Sequence, residues 1–192
     1  ILFVRLRRPR RSPRVPYHAL FRYFRHPIAL IANALGVPPA DMLEMGKAHG
    51  VAVAALVGTA QHARAQVAAG VDIIVAAGGE AGGHTGEVAT MVLVPEVVQA
   101  VEAMGASVPV LAAGGIASGA QMAGAMAMGA AGAWCGSVWL TTAEAETNPV
   151  VKEKMLAASS ADTVRARSRT GKPSRQLVSG WTEAWEGKGA PK

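Results

Sequence analysis

From His26 onward the chain alternates short apolar runs with stretches of helical spacing. The runs are IALIAN (28–33), VAVAALV (51–57), VDIIVAA (71–77), VPVLAA (108–113) and AGAWCGSVW (131–139). Helices are predicted over 40–49, 59–69, 93–104 and 118–128, with helical pieces near 149–158 and 179–186. Thr59 and Ser118 stand where an N-cap is needed. The runs do not alternate apolar with polar, so both faces of the strands are expected to be buried. That pattern predicts an α/β fold with a parallel sheet covered by helices. Right-handed crossovers then leave an open doubly wound sheet or a (β/α)8 barrel, and in both the chemistry belongs at the C-terminal ends of the strands.

Composition changes this picture in two places. The formal charge of +6 is misleading, because eight of the 19 basic residues are arginines within residues 1–25, which hold no acid. The remainder carries 11 basic and 13 acidic residues. Residues 1–25 therefore read as a separate Pro/Arg-rich irregular segment, and 26–192 as the folded domain. The segment shows no nucleic-acid-binding module, and no nucleic-acid function is expected. No charge occurs between Ala103 and Ala143, but eight glycines divide that stretch into strand- and helix-sized pieces, which argues against a membrane span. The single cysteine, Cys135, excludes an intrachain disulfide and suits a cytoplasmic protein. It is expected to be small and buried.

Three segments can carry chemistry. In AAGGIASG (112–119), Gly114 and Gly115 let backbone N–H groups approach a ligand ahead of a helix N-terminus, which suits an anion. In WCGS (134–137), Gly136 and Ser137 offer another exposed N–H and a hydroxyl. Adjacent parallel strands would bring both turns onto one phosphate; the plainer reading is two tight turns with no ligand. In GGEAGGHTGE (78–87), Gly82 and Gly83 precede His84, a ring suited to proton transfer or simply hydrogen-bonded in a loop. His49 and His62 are expected to face solvent. Met122, Met126 and Met128 read as core filler. Glu80 and Glu87 have no third partner, so no metal site is expected.

VDIIVAAGGEAGGHTGE, VPVLAAGGIASG and GAAGAWCGSVWLTTAEAE, in this order, resemble the nitronate monooxygenase family over about residues 26–186. HPIALIANALGVPP and TGKPSRQLVSGWTEAWE extend the likeness. The resemblance implies an FMN-dependent (β/α)8 enzyme that oxidises alkyl nitronates with O2 to carbonyl compounds and nitrite. It implies that Gly114, Gly115, Gly136 and Ser137 hold the FMN phosphate and that Gly82 and Gly83 lie against the cofactor. His84 would face the flavin and take an α-proton from a nitroalkane or orient a nitronate. The chain departs from the family pattern at Ala77 and Trp134, where glutamine is common, and at Ser137, where threonine is common. The five runs match the family's fourth to eighth strands, so a partial barrel is expected, with doubtful activity on its own. The Arg-rich start reads as altered or out-of-frame coding sequence. The alternatives are an enoyl-acyl-carrier-protein reductase-like flavoenzyme, another phosphate-gripping barrel, and a non-catalytic barrel fragment.

Overall fold

A computed structural model describes residues 24–187. Residues 1–23, nearly all of the basic segment, lie outside the described residues. The five apolar runs form one parallel sheet: β1 (Leu30–Asn33), β2 (Ala52–Val57), β3 (Ile73–Ala77), β5 (Val110–Ala113) and β6 (Gly132–Trp134), in spatial order β1-β2-β3-β5-β6. Each strand pairs in parallel with the next, as Ala54 with Ile73 and Ala77 with Ala113. Helices α1 (Ala40–His49), α2 (Ala60–Ala68), α3 (Thr90–Glu102) and α4 (Gly119–Ala127) follow the first four of these strands. Further along lie α5 (Pro149–Ala157) and α6 (Gly180–Glu186).

The local signals that start the helices are ordinary ones. Thr59 Oγ1 accepts from His62 N–H at 3.1 Å, and Ser118 and Gln121 form a reciprocal capping box. Helix α3 differs. Its apolar stripe, Leu93, Val94, Val97 and Val101, is fully buried against Ile74, Ala76 and Ala112 of the sheet. It begins three residues before the predicted start because its first turn is capped from a distance, as described below.

The expectation of two buried faces needs correction. The helix-covered face is buried along β2, β3 and β5, and at Ile31 of β1. On the other face Ala54, Val75, Ala77 and Ala113 are buried at the centre, whereas Leu30, Ile73, Leu111 and Trp134 are only partly covered. The last run also stops early: β6 ends at Trp134, and Gly136 (φ −125°, ψ −70°) turns the chain into a 3₁₀ turn over Ser137–Thr141. Met122 and Met126 are exposed rather than core, because α4 buries a narrow stripe centred on Ala125; Met128 alone of the three packs on the core. Cys135 is half-buried rather than fully enclosed.

A second, antiparallel sheet was not predicted. It joins β7 (Thr163–Ala166), β8 (Ser174–Leu177) and the two-residue β4 (Gly83–His84), in the order β4-β8-β7. Among the described residues no helix is long and apolar enough to cross a membrane.

Candidate functional site

The loops after β1, β2, β3, β5 and β6 gather at the C-terminal end of the parallel sheet, as the strand–helix order requires. The loop after β3 lies at their centre. Pairing of Gly83 with Arg175 and of His84 with Ser174 straps this loop to the β7–β8 hairpin. Arg175 Nε donates to Gly79 O at 2.8 Å and its Nη1 to Thr163 Oγ1 at 2.9 Å. Arg165 pairs with Glu87 at 2.7 Å. Together these contacts hold a glycine-rich loop that would otherwise have many conformations.

The candidate phosphate residues crowd around the same loop. Gly114 (φ +115°) and Gly115 (φ +69°) both occupy the left-handed half of backbone space. A Cβ at Gly114 would lie 3.1 Å from Ala81 N and 3.3 Å from Gly78 O, and one at Gly115 would lie 3.3 Å from Glu80 Cβ. A Cβ at Gly82 would collide with Ser137 Oγ. Thus Gly82, Gly114, Gly115 and Ser137 meet around residues 80–82, and only glycine permits the approach. Gly136 adjoins them and faces open space, as does Gly83 on β4. Gln121 Oε1 takes the N–H groups of Ala117 and Ser118, and no acceptor among the described residues takes those of Gly115 and Ile116. Two backbone donors of the turn ahead of a helix N-terminus are thereby left for an anion.

His84 opens onto a different space. A cavity of about 540 Å³ lies at the ends of β1, β2 and β3, lined by Leu35, Gly58, His62, His84, Glu87 and Lys172 among others. None of Gly82, Gly83, Gly114, Gly115, Gly136 and Ser137 lines it. His84 stands between cavity and glycine cluster, with Nε2 2.7 Å from Thr170 Oγ1. That contact orients the imidazole, and the tautomer decides which atom donates. His62 is exposed, as expected, yet it forms part of the cavity wall. His49 is exposed too and stacks on Phe24, 4.8 Å between ring centroids.

Sequence reasoning missed Thr170, Lys172, Arg175 and Thr90. In the sequence, TGKPSRQL carries only a family resemblance and gives no local signal of a role for its threonine or its basic residues. Among the described residues no three His, Cys, Asp or Glu side chains come together. Glu80 instead caps α3: its Oε2 accepts from Thr90 N–H at 2.9 Å and from Thr90 Oγ1 at 2.8 Å.

Burial pushes the Glu80 carboxyl up, but the Thr90 hydrogen bonds and the nearby Arg175 outweigh it and hold the group below its ordinary value of 4.5. A carboxylate with a depressed folded pKa stabilises the fold above its unfolded pKa and loses that contribution as pH falls through the folded value. Thermal stability is therefore expected to decline below about pH 5. Glu80→Gln should make the decline shallower; melting curves from pH 7 downward check this, and an unchanged acid limb would refute it.

The nitronate monooxygenase family profile matches residues 15–191, beginning inside the segment that the sequence reading set apart. The Mycobacterium tuberculosis protein Rv1533, named as a monooxygenase, is 66% identical over 168 residues, covering 88% of this chain and 44% of that protein. A Rhodococcus jostii protein, named as a dehydrogenase of a hydroxy-methyl-oxo-octahydroindene carboxyl-CoA, is 38% identical, covering 83% of this chain and 44% of that protein. Among solved structures, FabK from Thermotoga maritima is 34% identical with a TM-score of 0.78, covering 88% of this chain and 53% of that one. Nitroalkane oxidase from Streptomyces ansochromogenes is 31% identical with a TM-score of 0.76, covering 84% and 49%. The chain thus spans about half the length of these relatives, and on the extent of the family match it belongs to the nitronate monooxygenase family of flavin-dependent oxidoreductases.

Proposed function

We propose that the parallel sheet is the fourth-to-eighth-strand portion of a (β/α)8 barrel that binds FMN and oxidises alkyl nitronates with O2 to carbonyl compounds and nitrite. The observation that carries this reading is the meeting of Gly82, Gly114, Gly115 and Ser137 beside the loop that bears His84. The cluster fits a flavin phosphate: the N–H groups of Gly115 and Ile116 have no acceptor among the described residues, and Ser137 adds a hydroxyl beside them. Gly114 and Gly115, with Gly136 and Ser137, hold the phosphate in this reading, and Gly82 and Gly83 pass along the cofactor.

When bound, FMN supplies the electron acceptor and the route to O2. The chain's own residues bind and orient. His84 accepts the α-proton of a nitroalkane or donates to a nitronate oxygen, and Thr170 fixes its ring. The cavity beside it, walled by Leu35 and Val57, receives the substrate's alkyl part. In this reading the protein acts on small molecules in the cytoplasm and needs no nucleic acid or membrane.

The test is a fluorescence titration of the purified chain with FMN, followed by oxygen uptake with an alkyl nitronate. Saturable quenching is expected, and nitronate-dependent uptake would show that this portion of the barrel turns over on its own. A protein that ignores FMN would end the cofactor reading. A second reading, FMN-dependent reduction of an enoyl thioester, draws on the likeness to FabK and to the CoA dehydrogenase. Enoyl-thioester-dependent consumption of NADH or NADPH, with no nitronate oxidation, would favour it.

A further inference from the structure

Thr90 is 8% exposed and lies between two glycines from different loops. A Cβ on Gly78 would stand 2.5 Å from Thr90 N and 2.6 Å from Thr90 Cα; one on Gly114 would stand 2.6 Å from Thr90 Oγ1. The hydroxyl has three oxygens within reach: Glu80 Oε2 at 2.8 Å, Gly114 O at 3.1 Å and Ala113 O at 3.4 Å. It owns one proton, and the charged carboxylate is both the nearest and the strongest acceptor. Glu80 therefore fixes the rotamer of Thr90, and the same hydroxyl, shared with Gly114 O at 3.1 Å, ties the Gly114 peptide to it. Gly78 N–H completes the joint by donating to Ala113 O at 2.9 Å. Arg175, bonded to Gly79 O, holds the loop from its other side.

We infer that Thr90, held by Glu80, is the positioning residue for the Gly114–Gly115 turn, and that it sets how well the turn grips a phosphate. This rests on the reading of that turn as the flavin-phosphate site. The physical logic is preorganisation: two left-handed glycines in sequence are entropically expensive to hold, and a rigid wedge beneath them removes that cost before the ligand arrives. Three elements converge on the wedge: the loop after β3, the first turn of α3 and the end of β5. Displacing it should move the turn while leaving the helix-covered core intact. Thr90 touches no substrate in this account.

Two substitutions separate the hydroxyl from the bulk. Thr90→Val keeps the branched shape but puts a methyl group 2.8 Å from a carboxylate oxygen and 3.1 Å from the Gly114 carbonyl. Thr90→Ser keeps the hydroxyl. In the full chain without ligand, Thr90→Val should speed amide exchange at Gly78 about tenfold, a loss near 1.4 kcal/mol at that site. Exchange in the middle of β2 should be unchanged, and Thr90→Ser should stay near wild type. Titrations compare FMN with riboflavin, which lacks the phosphate. Thr90→Val should weaken FMN about tenfold more than riboflavin, and Thr90→Ser should restore the difference. Should Thr90→Val not fold, Thr90→Ala removes the hydroxyl without placing a methyl group beside the carboxylate and should shift both readouts in the same direction. Unaltered Gly78 exchange in a folded variant, or equal weakening of FMN and riboflavin, overturns the inference. A wild-type chain that binds neither flavin defeats the flavin reading instead, and the exchange data then decide the positioning role alone.

Discussion

Gly78→Ala is expected to lower the melting temperature by about 6–12 °C, a loss of about 3 kcal/mol for a chain of this size. Gly78 is buried at the end of β3, and its N–H is already committed to Ala113 O. The added methyl group would come within 2.5 Å of Thr90 N and 2.6 Å of Thr90 Cα. Those are backbone atoms in the first turn of α3, so no side-chain rotation relieves the contact. Either the helix start retreats from the sheet or the loop after β3 shifts, and Leu93 and Val94 lose packing in the first case. Calorimetry on the variant measures this. Gly124→Ala is the control: it lies in the exposed part of α4 with nothing within 4 Å of the added carbon. There alanine should stabilise the helix by about 0.5–1 kcal/mol. Equal melting temperatures for the two variants would show that the joint between Gly78 and Thr90 is looser than described.

The second large effect concerns chemistry. His84→Ala is expected to reduce nitronate turnover by about 10²- to 10⁴-fold, the usual contribution of a positioned acid or base. The fold should survive, because His84 is only partly buried and sits on a two-residue strand whose pairing with β8 is a main-chain contact. FMN affinity should change little, since the glycine cluster is built without the imidazole. Thr170→Val is the companion. It removes the 2.7 Å partner of Nε2 while leaving the ring in place. It should lower turnover less than His84→Ala and move the pH profile of kcat, because a ring that loses its orienting hydrogen bond also changes its basicity. Steady-state kinetics across pH checks both. Turnover by His84→Ala at the wild-type rate would remove the imidazole from the mechanism.

The legible features were those set by neighbours in the chain. The helix over 40–49 lies where the pattern put it, because Pro39 stands just before it and left-handed Gly50 ends it. Thr59 and Ser118 cap the helices they precede. The failures have particular explanations too. Helix α3 starts early because its cap, Glu80, is ten residues upstream of Thr90, at the far end of the loop that leads into the helix. The run 131–139 breaks because Gly136 leaves extended geometry. The β7–β8 hairpin escaped notice because each strand is four residues long and carries an arginine, and SRQL shows no apolar period.

By itself, the sequence determined an α/β chain with a five-stranded parallel sheet, glycine turns after the strands, and a histidine in the loop after β3. These follow from periodicity and capping, which act over a few residues. Tertiary structure alone decided that Thr90 would wedge Gly114, 24 residues away, that Thr170 would hold His84 across 86 residues, and that Arg175 would reach Gly79 across 96. No local preference encodes such meetings, since they exist only after helix packing against the sheet has already brought those segments together.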